Sequence, residues 1–190
     1  MKLYYTTTTG YLNEQPNPER SLGGFQAATP VANDDFSNIF DEISVMTIRS
    51  GRDEYRAIVL KNEFPSKAKN VQLSMELPED SICSYKLALA PLDMTDENGN
   101  VYMESLQAMN NKPFRATFVD MVPGAVVEVG NMDQGAVIGI WLCRHIDKDA
   151  ARQQYNDVCK PDPSDPTGRR YIGVEKPTEE LVNLNITWDD

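Results

Sequence analysis

Residues 51–77 constrain the fold most strongly, because their pattern predicts two neighbouring strands joined by a polar turn. Residues 55–60 are almost wholly apolar, as a strand requires when both of its faces are covered. Residues 71–77 alternate apolar and polar side chains, which predicts one buried and one exposed face. Pro65 and Ser66 favour the bend between them. A fully buried strand beside a half-buried one is the repeating unit of a β-sandwich.

The rest of the chain supplies more strands of the same kind. Residues 84–89 alternate cleanly, and residues 135–146 form the richest apolar run. Asn98-Gly99 is a strong hairpin signal, because both central residues of that turn need positive φ. We therefore predict an all-β fold, an antiparallel β-sandwich of the Ig-like or jelly-roll-like type. Further strands are predicted at residues 3–8, 45–49, 101–106, 115–119, 126–129 and 182–188.

The pattern divides the 190 residues into a core and two extensions. Residues 1–34 are rich in turn formers and poor in large apolar side chains, which predicts an extended N-terminal arm lying on its own domain or on a neighbouring subunit. Residues 35–146 form the predicted sandwich core. Residues 147–190 form a predicted C-terminal extension of short helix, proline-rich linker and terminal strand. That strand closes either its own sheet or a sheet in another copy.

A second short helix is predicted where the core begins. Phe36, Ile39, Phe40 and Ile43 are spaced i, i+3, i+4 and i+7, which is one apolar stripe of a helix. A polar cap precedes this stripe in the sequence, as the start of a helix requires. The core therefore opens with a helix that leads directly into a strand.

Composition narrows the classes of function. The net charge of −11 and the lack of a Lys/Arg cluster argue against binding to nucleic acid, whose phosphates demand cationic groups. No window approaches the ~20 apolar residues of a membrane span, and the N-terminus lacks the apolar core of a signal peptide. Cys83, Cys143 and Cys159 are an odd number without a close pair, which fits reduced thiols. We expect a soluble protein made in a cytoplasm, with no membrane partner.

The sequence contains no recognisable active site, so we predict that the protein is not an enzyme and needs no cofactor. Gly-x-Ser-x-Gly and Walker motifs are absent, and His145 is the single histidine. Cys143 and His145 share one face of a predicted strand and could bind a metal with help, but zinc needs four ligands. Packing at the strand end explains this pair better.

The loop at residues 93–100 is a weak candidate for a calcium site. Asp96, Asn98 and Asn100 fit the first three ligand positions of an EF-hand loop, but the required glycine and the bidentate glutamate are missing. A hairpin turn explains the same residues without a metal.

Four stretches resemble a known family. They are SLGGFQAATPVANDDFSNIFDEIS from Ser21, GRDEYRAIVLKN from Gly51, KNVQLSMELPED from Lys69 and GAVIGIWLCRHI from Gly135. This succession resembles the small β-sandwich virion proteins of tailed bacteriophages, crAss-like phages among them. The shared features are an SLGG arm motif, a glycine followed by an EYR strand ending in Lys-Asn, and a strand that ends in IWL and a basic residue.

The resemblance implies a structural role in the virion and no catalytic residues. The protein would act by protein–protein assembly, as a ring or connector in the neck or tail or as a capsid decoration. It would be made in the bacterial host cytoplasm and would contact portal, ring, tail or capsid proteins and copies of itself. The residues expected at these contacts are Leu22, Phe25, Phe36, Phe40, Leu184, Ile186 and Trp188.

A carbohydrate-binding β-sandwich is the alternative interpretation. Trp188 or Tyr171 would stack on sugar rings, and the loop at residues 93–100 would hold calcium. This alternative predicts that exposed aromatic residues share one face with a groove.

Overall fold

The computed structural model of the protein describes residues 1–32, 38–79, 81–149, 160–161, 163–167, 171–172 and 182–189. Within these residues the chain is nearly all β, with a short α-helix, α1 (Val45–Ser50), two helical residues at 148–149, and a 3-10 turn at Pro18–Arg20. The strands are β1 (Lys2–Thr7), β2 (Gly23–Pro30), β3 (Arg52–Lys61), β4 (Ala68–Glu76), β5 (Cys83–Ala90), β6 (Met94–Thr95), β7 (Val101–Ser105), β8 (Val119–Met121), β9 (Val126–Met132), β10 (Val137–Ile146), β11 (Lys160–Pro161), β12 (Tyr171–Ile172) and β13 (Asn183–Asp189).

Two antiparallel sheets build the sandwich. The larger has eight strands in the order β6-β7-β2-β1-β3-β10-β5-β8, and the smaller has three in the order β13-β4-β9. β11 and β12 pair separately. The predicted all-β, antiparallel, sandwich-like fold is confirmed.

β3 is central, as the apolar run predicts, and both of its faces are buried. Ile58 and Leu60 point into the main core, which lies between the two sheets. Tyr55 and Ala57 point to the opposite face, into a second cluster with Trp141. β3 pairs with β10 over the whole length of both strands, from Lys61 opposite Val137 to Arg52 opposite Ile146.

β4 has the predicted alternation. Val71 and Leu73 are fully buried in the main core, whereas Gln72 and Ser74 are partly exposed. β13 pairs antiparallel with β4 of the same chain, so the terminal strand closes its own sheet.

The described part of the predicted N-terminal arm is built into the sheet, which corrects our expectation. β1 lies between β2 and β3, and Tyr5 and Ala27 belong to the main core. The prediction counted large apolar residues, but much of the buried surface here is polar. Thr6 and Thr7 are fully buried, and Thr6 finds hydrogen bonds inside the protein.

The local structure before β3 also differs from the prediction. Residues 45–49, predicted to be a strand, lie in α1, which begins after Ser44 and ends at Gly51. The side chain of Ser44 accepts a hydrogen bond from the Thr47 N–H, which is a standard N-cap. At residue 51 φ is 64°, a conformation that favours glycine.

The helix predicted from Phe36 to Ile43 falls partly on residues 33–37, which lie outside the described chain. Residues 38–43 are irregular and not helical. Side chains from elsewhere take up the backbone carbonyl groups that a helix would use: Tyr5 donates to Asn38 C=O at 2.6 Å, and Arg144 donates to Asp41 C=O at 2.9 Å.

Two further predictions concern the second half of the chain. The strand predicted at residues 115–119 begins only at Val119, as β8. The helix predicted after Asp147 falls mainly on residues 150–159, which lie outside the described chain. None of the helices in the described residues has the length and hydropathy to cross a membrane.

Candidate assembly surfaces

Three of the four sequence stretches that carry the resemblance meet in the larger sheet, where β2, β1, β3 and β10 run side by side. Ser21 of the SLGG motif donates its hydroxyl hydrogen to Ala57 C=O and accepts the Thr6 N–H at 2.8 Å. In return, the Ala57 N–H donates to Ser21 C=O at 2.7 Å. The SLGG motif therefore locks β1, β2 and β3 together through buried hydrogen bonds.

Gly23 allows the close approach that this arrangement needs. Its φ is 92°, and an added Cβ atom would lie 2.0 Å from the carbonyl oxygen of Glu104 in β7. A side chain would therefore separate β2 from β7, which pair at this point.

An ion cluster joins the other two motifs. Glu54 of the EYR strand and Arg144 of the IWL strand lie directly opposite each other in the sheet, with Arg144 Nε 3.0 Å from Glu54 Oε2. Arg52 contributes a second guanidinium, with Nε 2.7 Å from Glu54 Oε1. Glu54 is 2% exposed and Arg144 is 3% exposed, so the pair is desolvated.

Two opposing effects act on the pKa of Glu54. Burial by itself raises the pKa, but the guanidinium groups of Arg144 and Arg52 outweigh burial and hold it below its ordinary value. Glu54 is therefore ionised at neutral pH and compensates the buried charge of Arg144.

Phe40 was predicted to contact other proteins, but it covers this ion cluster within its own chain. Its ring centroid lies 4.8 Å from Cζ of Arg144 and 5.6 Å from Cζ of Arg56, within the range of cation–π contacts. Arg56 also reaches Asp41 at 3.2 Å, while its Nε has no hydrogen-bond partner among the described residues. Phe40 is half-buried and serves the interior of this chain.

The other predicted contact residues separate into two groups. Leu22 and Phe25 lie near β7, where the Phe25 ring packs on Tyr102 at 4.7 Å. Leu184, Ile186 and Trp188 lie together on β13. Phe36 lies outside the described residues.

An open cleft of about 440 Å³ lies beside three of the predicted contact residues on β13. Trp188 is 37% exposed and packs on the ring of Phe64 at 5.3 Å. Leu184 and Ile186 are half-buried against the rim of the main core. The residues around the cleft are Met1, Lys2, Leu3, Val31, Asn38, Ile39, Val182, Asn183, Leu184, Asn185, Ile186 and Trp188.

A second exposed apolar feature is Phe114, which was not among the predicted contact residues. Its side chain is 94% exposed, although it lies in a well-braced loop. The Glu104 carboxylate accepts the N–H groups of Phe114 at 2.9 Å and of Arg115 at 3.1 Å. Arg115 in turn forms a bidentate pair with Asp93. The signal in the sequence was Pro113-Phe114, a large aromatic residue inside a turn-rich segment.

The calcium candidate forms a hairpin turn. β6 and β7 pair across it, and the Asp96 carboxylate accepts hydrogen bonds from the N–H groups of Asn98 and Asn100 and from the Asn100 side chain. The Asp96 oxygen atoms proposed as ligands are thus used within the turn. In the described part of the chain, no three His, Cys, Asp or Glu side chains are grouped to hold a metal ion.

Cys143 and His145 share a strand face as predicted. His145 Nδ1 lies 2.6 Å from Asp53 Oδ1 at the surface. Cys143 is 3% exposed, and burial raises the pKa of its thiol to about 11. A thiol must ionise to act as a nucleophile or metal ligand, so this one is chemically quiet.

Comparison of the chain with protein-family models, curated proteins and solved structures found no match.

Proposed function

We propose that this protein is a bacteriophage virion structural protein that acts by protein–protein assembly. It would serve as a ring or connector in the neck or tail, or as a capsid decoration. Its partners would be portal, ring, tail or capsid proteins and further copies of itself. Synthesis would take place in the host cytoplasm, and the finished particle would be its destination.

The observation that carries this proposal is the braced display of Phe114. An aromatic side chain that is 94% exposed gains nothing for the stability of the free chain. Yet Glu104, Arg115 and Asp93 hold its loop in one conformation. Rigid aromatic anchors of this kind dominate binding energy at protein interfaces, because little entropy is lost when they bind.

The charge of the chain supports the same role. With a net charge of −11, the free protein resists non-specific aggregation before assembly. The same charge disfavours contact with packaged nucleic acid. An acidic surface with a few apolar contact points therefore suits the outside of a particle.

Quantitative mass spectrometry of purified virions tests the proposal. The chain should be present at a fixed ratio to the major capsid protein. A ratio near one indicates decoration, and a small ring-like number indicates the neck or tail. Absence from purified virions would overturn the proposal.

A variant pair then tests the role of Phe114. Phe114→Ala should weaken binding to particles that lack the protein. Met46→Ala is the matched control, because Met46 is also highly exposed, at 72%, but lies on α1. Equal binding by both variants would show that Phe114 is not the anchor.

One observation favours carbohydrate binding as a second candidate function. Trp188 and the amide side chains of Asn38, Asn183 and Asn185 border the same cleft, and amides and aromatic rings are suitable partners for sugars. Phe64 shares this corner, whereas exposed Tyr11 and Phe114 belong to other loops. Glycan-array binding that is lost in Trp188→Ala and retained in Phe114→Ala would support this alternative.

A further inference from the structure

The two main sheets have four edges within the described residues, and three of them are unsuited to pairing with another chain. The eight-stranded sheet ends in β6, which has two residues, and in β8, which has three. Short edge strands offer few backbone groups to a partner, and natural proteins use them to avoid association.

The smaller sheet ends in β9 on one side. Its pairing with β4 is irregular, since the register shifts between Ala68 and Val71 and again before Gln72. β9 also contains Gly130 at a φ of 87° and the charged Glu128. Bulges and charges of this kind protect an edge against a second chain.

β13 forms the fourth edge and is the least protected of the four, since its one charged residue, Asp189, stands at its end. It is seven residues long and contains neither proline nor lysine. The single register shift against β4 comes from an extra residue in β4, near Asn70 with its φ of 50°. Because β13 pairs with β4 on one side, alternate residues direct their N–H and C=O groups outward. No strand among the described residues pairs with that outer side.

The open cleft lies along this outer edge. It is bordered by residues from both faces of β13, Leu184 and Ile186 from one face and Asn183 and Asn185 from the other. A cleft confined to the space between the sheets would be lined by one face alone. The opposite wall is formed by residues of β1 and by Val31 and Ile39. A fourth strand added to the smaller sheet would occupy this position.

We propose that the occupant is β13 of a second copy, paired antiparallel about a twofold axis at Ile186. This inference rests on the proposed assembly role and names one of its contacts. In this register Asn185 faces Thr187 of the other copy, and Leu184 faces its Trp188. Asp189, the one charged residue of β13, faces Asn183, so no like charges oppose each other. The strand is therefore complementary to itself, as a twofold interface requires.

Sedimentation velocity of the full-length chain tests the pairing. The wild-type protein should dimerise. Asn185→Lys combined with Thr187→Lys places lysines opposite each other across the axis and should raise the dimer dissociation constant by about tenfold or more. Val126→Lys, on the β9 edge of the same sheet, is the matched control and should leave the dimer unchanged. Circular dichroism verifies that each variant is folded.

Engineered disulfides test the register itself. In a Cys159→Ser background, Asn185→Cys combined with Thr187→Cys should give a covalent dimer under mild oxidation, because residues directly opposite in an antiparallel pair have Cα atoms about 4.5–5.5 Å apart. Each single cysteine variant should remain monomeric on a non-reducing gel. Efficient cross-linking of a single variant would place the strands in another register and overturn the proposed pairing.

The outcomes separate this inference from the proposed function. A wild-type chain that stays monomeric at every concentration overturns the β13 pairing, and its presence in virions would still support the structural role. A β13 dimer from a chain that is absent from virions would support the pairing and overturn the virion role.

Discussion

Polar groups are buried and paired at the junction of β1, β3 and β10, whereas they are exposed at the edge formed by β13. At the junction, Glu54 and Arg144 are buried, and both oxygen atoms of the Glu54 carboxylate accept hydrogen bonds. At the edge, Trp188 is 37% exposed and the outward backbone groups of β13 face an open cleft. Buried charges fix strand register, because a wrong register leaves them unpaired at high cost. An edge strand with few protections can pair with a strand of another chain. The chain thus separates the region that specifies its fold from the edge at which we propose that two copies pair.

The largest expected effect breaks the junction. Glu54→Gln leaves Arg144 buried without a carboxylate and should lower the free energy of unfolding by about 3–5 kcal/mol. Chemical denaturation at neutral pH measures the loss. Asp93→Asn is the matched control, because it breaks the exposed pair with Arg115 and should cost far less stability. Similar losses in the two variants would show that the buried cluster contributes no more than a surface pair.

The same variant gives a pH signature. The pKa of Glu54 is lowered in the folded state, so its contribution is present above the unfolded value of about 4.3 and is lost as the pH falls through the folded value. The stability gap between wild type and Glu54→Gln should therefore be complete at neutral pH and shrink in acid. A gap that is constant from neutral pH to acid would contradict an ionised Glu54.

Alternation and apolar runs were enough to predict the sandwich. Residues 55–60 and 135–146 have so few polar side chains that only doubly covered strands accommodate them, and both are central strands. The same rule failed at residues 1–34, because Thr6, Thr7 and Ser21 replace apolar side chains with buried hydrogen bonds. Hydrophobicity alone cannot detect a core built in this way.

The prediction of surfaces was less complete for a related reason. Leu184, Ile186 and Trp188 could be placed on one strand because they alternate in the sequence. Phe114 was not among the predicted contact residues, because its exposure depends on Glu104 and Asp93, which are distant in sequence. The strand expected at residues 45–49 became α1 because the cap at Ser44 and the stop at Gly51 outweighed β-branched composition. Such choices depend on tertiary contacts that local patterns do not contain.

A smaller effect is expected at the SLGG motif. Gly23→Ala combines an unfavourable positive φ with a Cβ atom 2.0 Å from a backbone carbonyl oxygen, and should cost about 3 kcal/mol. Gly99→Ala has a similar φ of 82° but nothing within 4 Å of the added Cβ atom, so only about 1 kcal/mol is expected. Comparing the thermal unfolding of the two variants isolates the steric contribution to the loss of stability. Equal losses would mean that β2 and β7 separate without cost.

The smallest effect on stability sharpens the contrast between fold and surface. Phe114→Ala should change the free energy of unfolding by less than about 0.5 kcal/mol, because a side chain that is 94% exposed has almost no contacts to lose. Glu104→Gln, by contrast, weakens the acceptor of the Phe114 and Arg115 N–H groups and should increase hydrogen exchange in that loop without unfolding the core. A large loss of stability in Phe114→Ala would mean that the ring packs within this chain. In that case its role as an assembly anchor would fall, and β13 would remain as the surface through which copies associate.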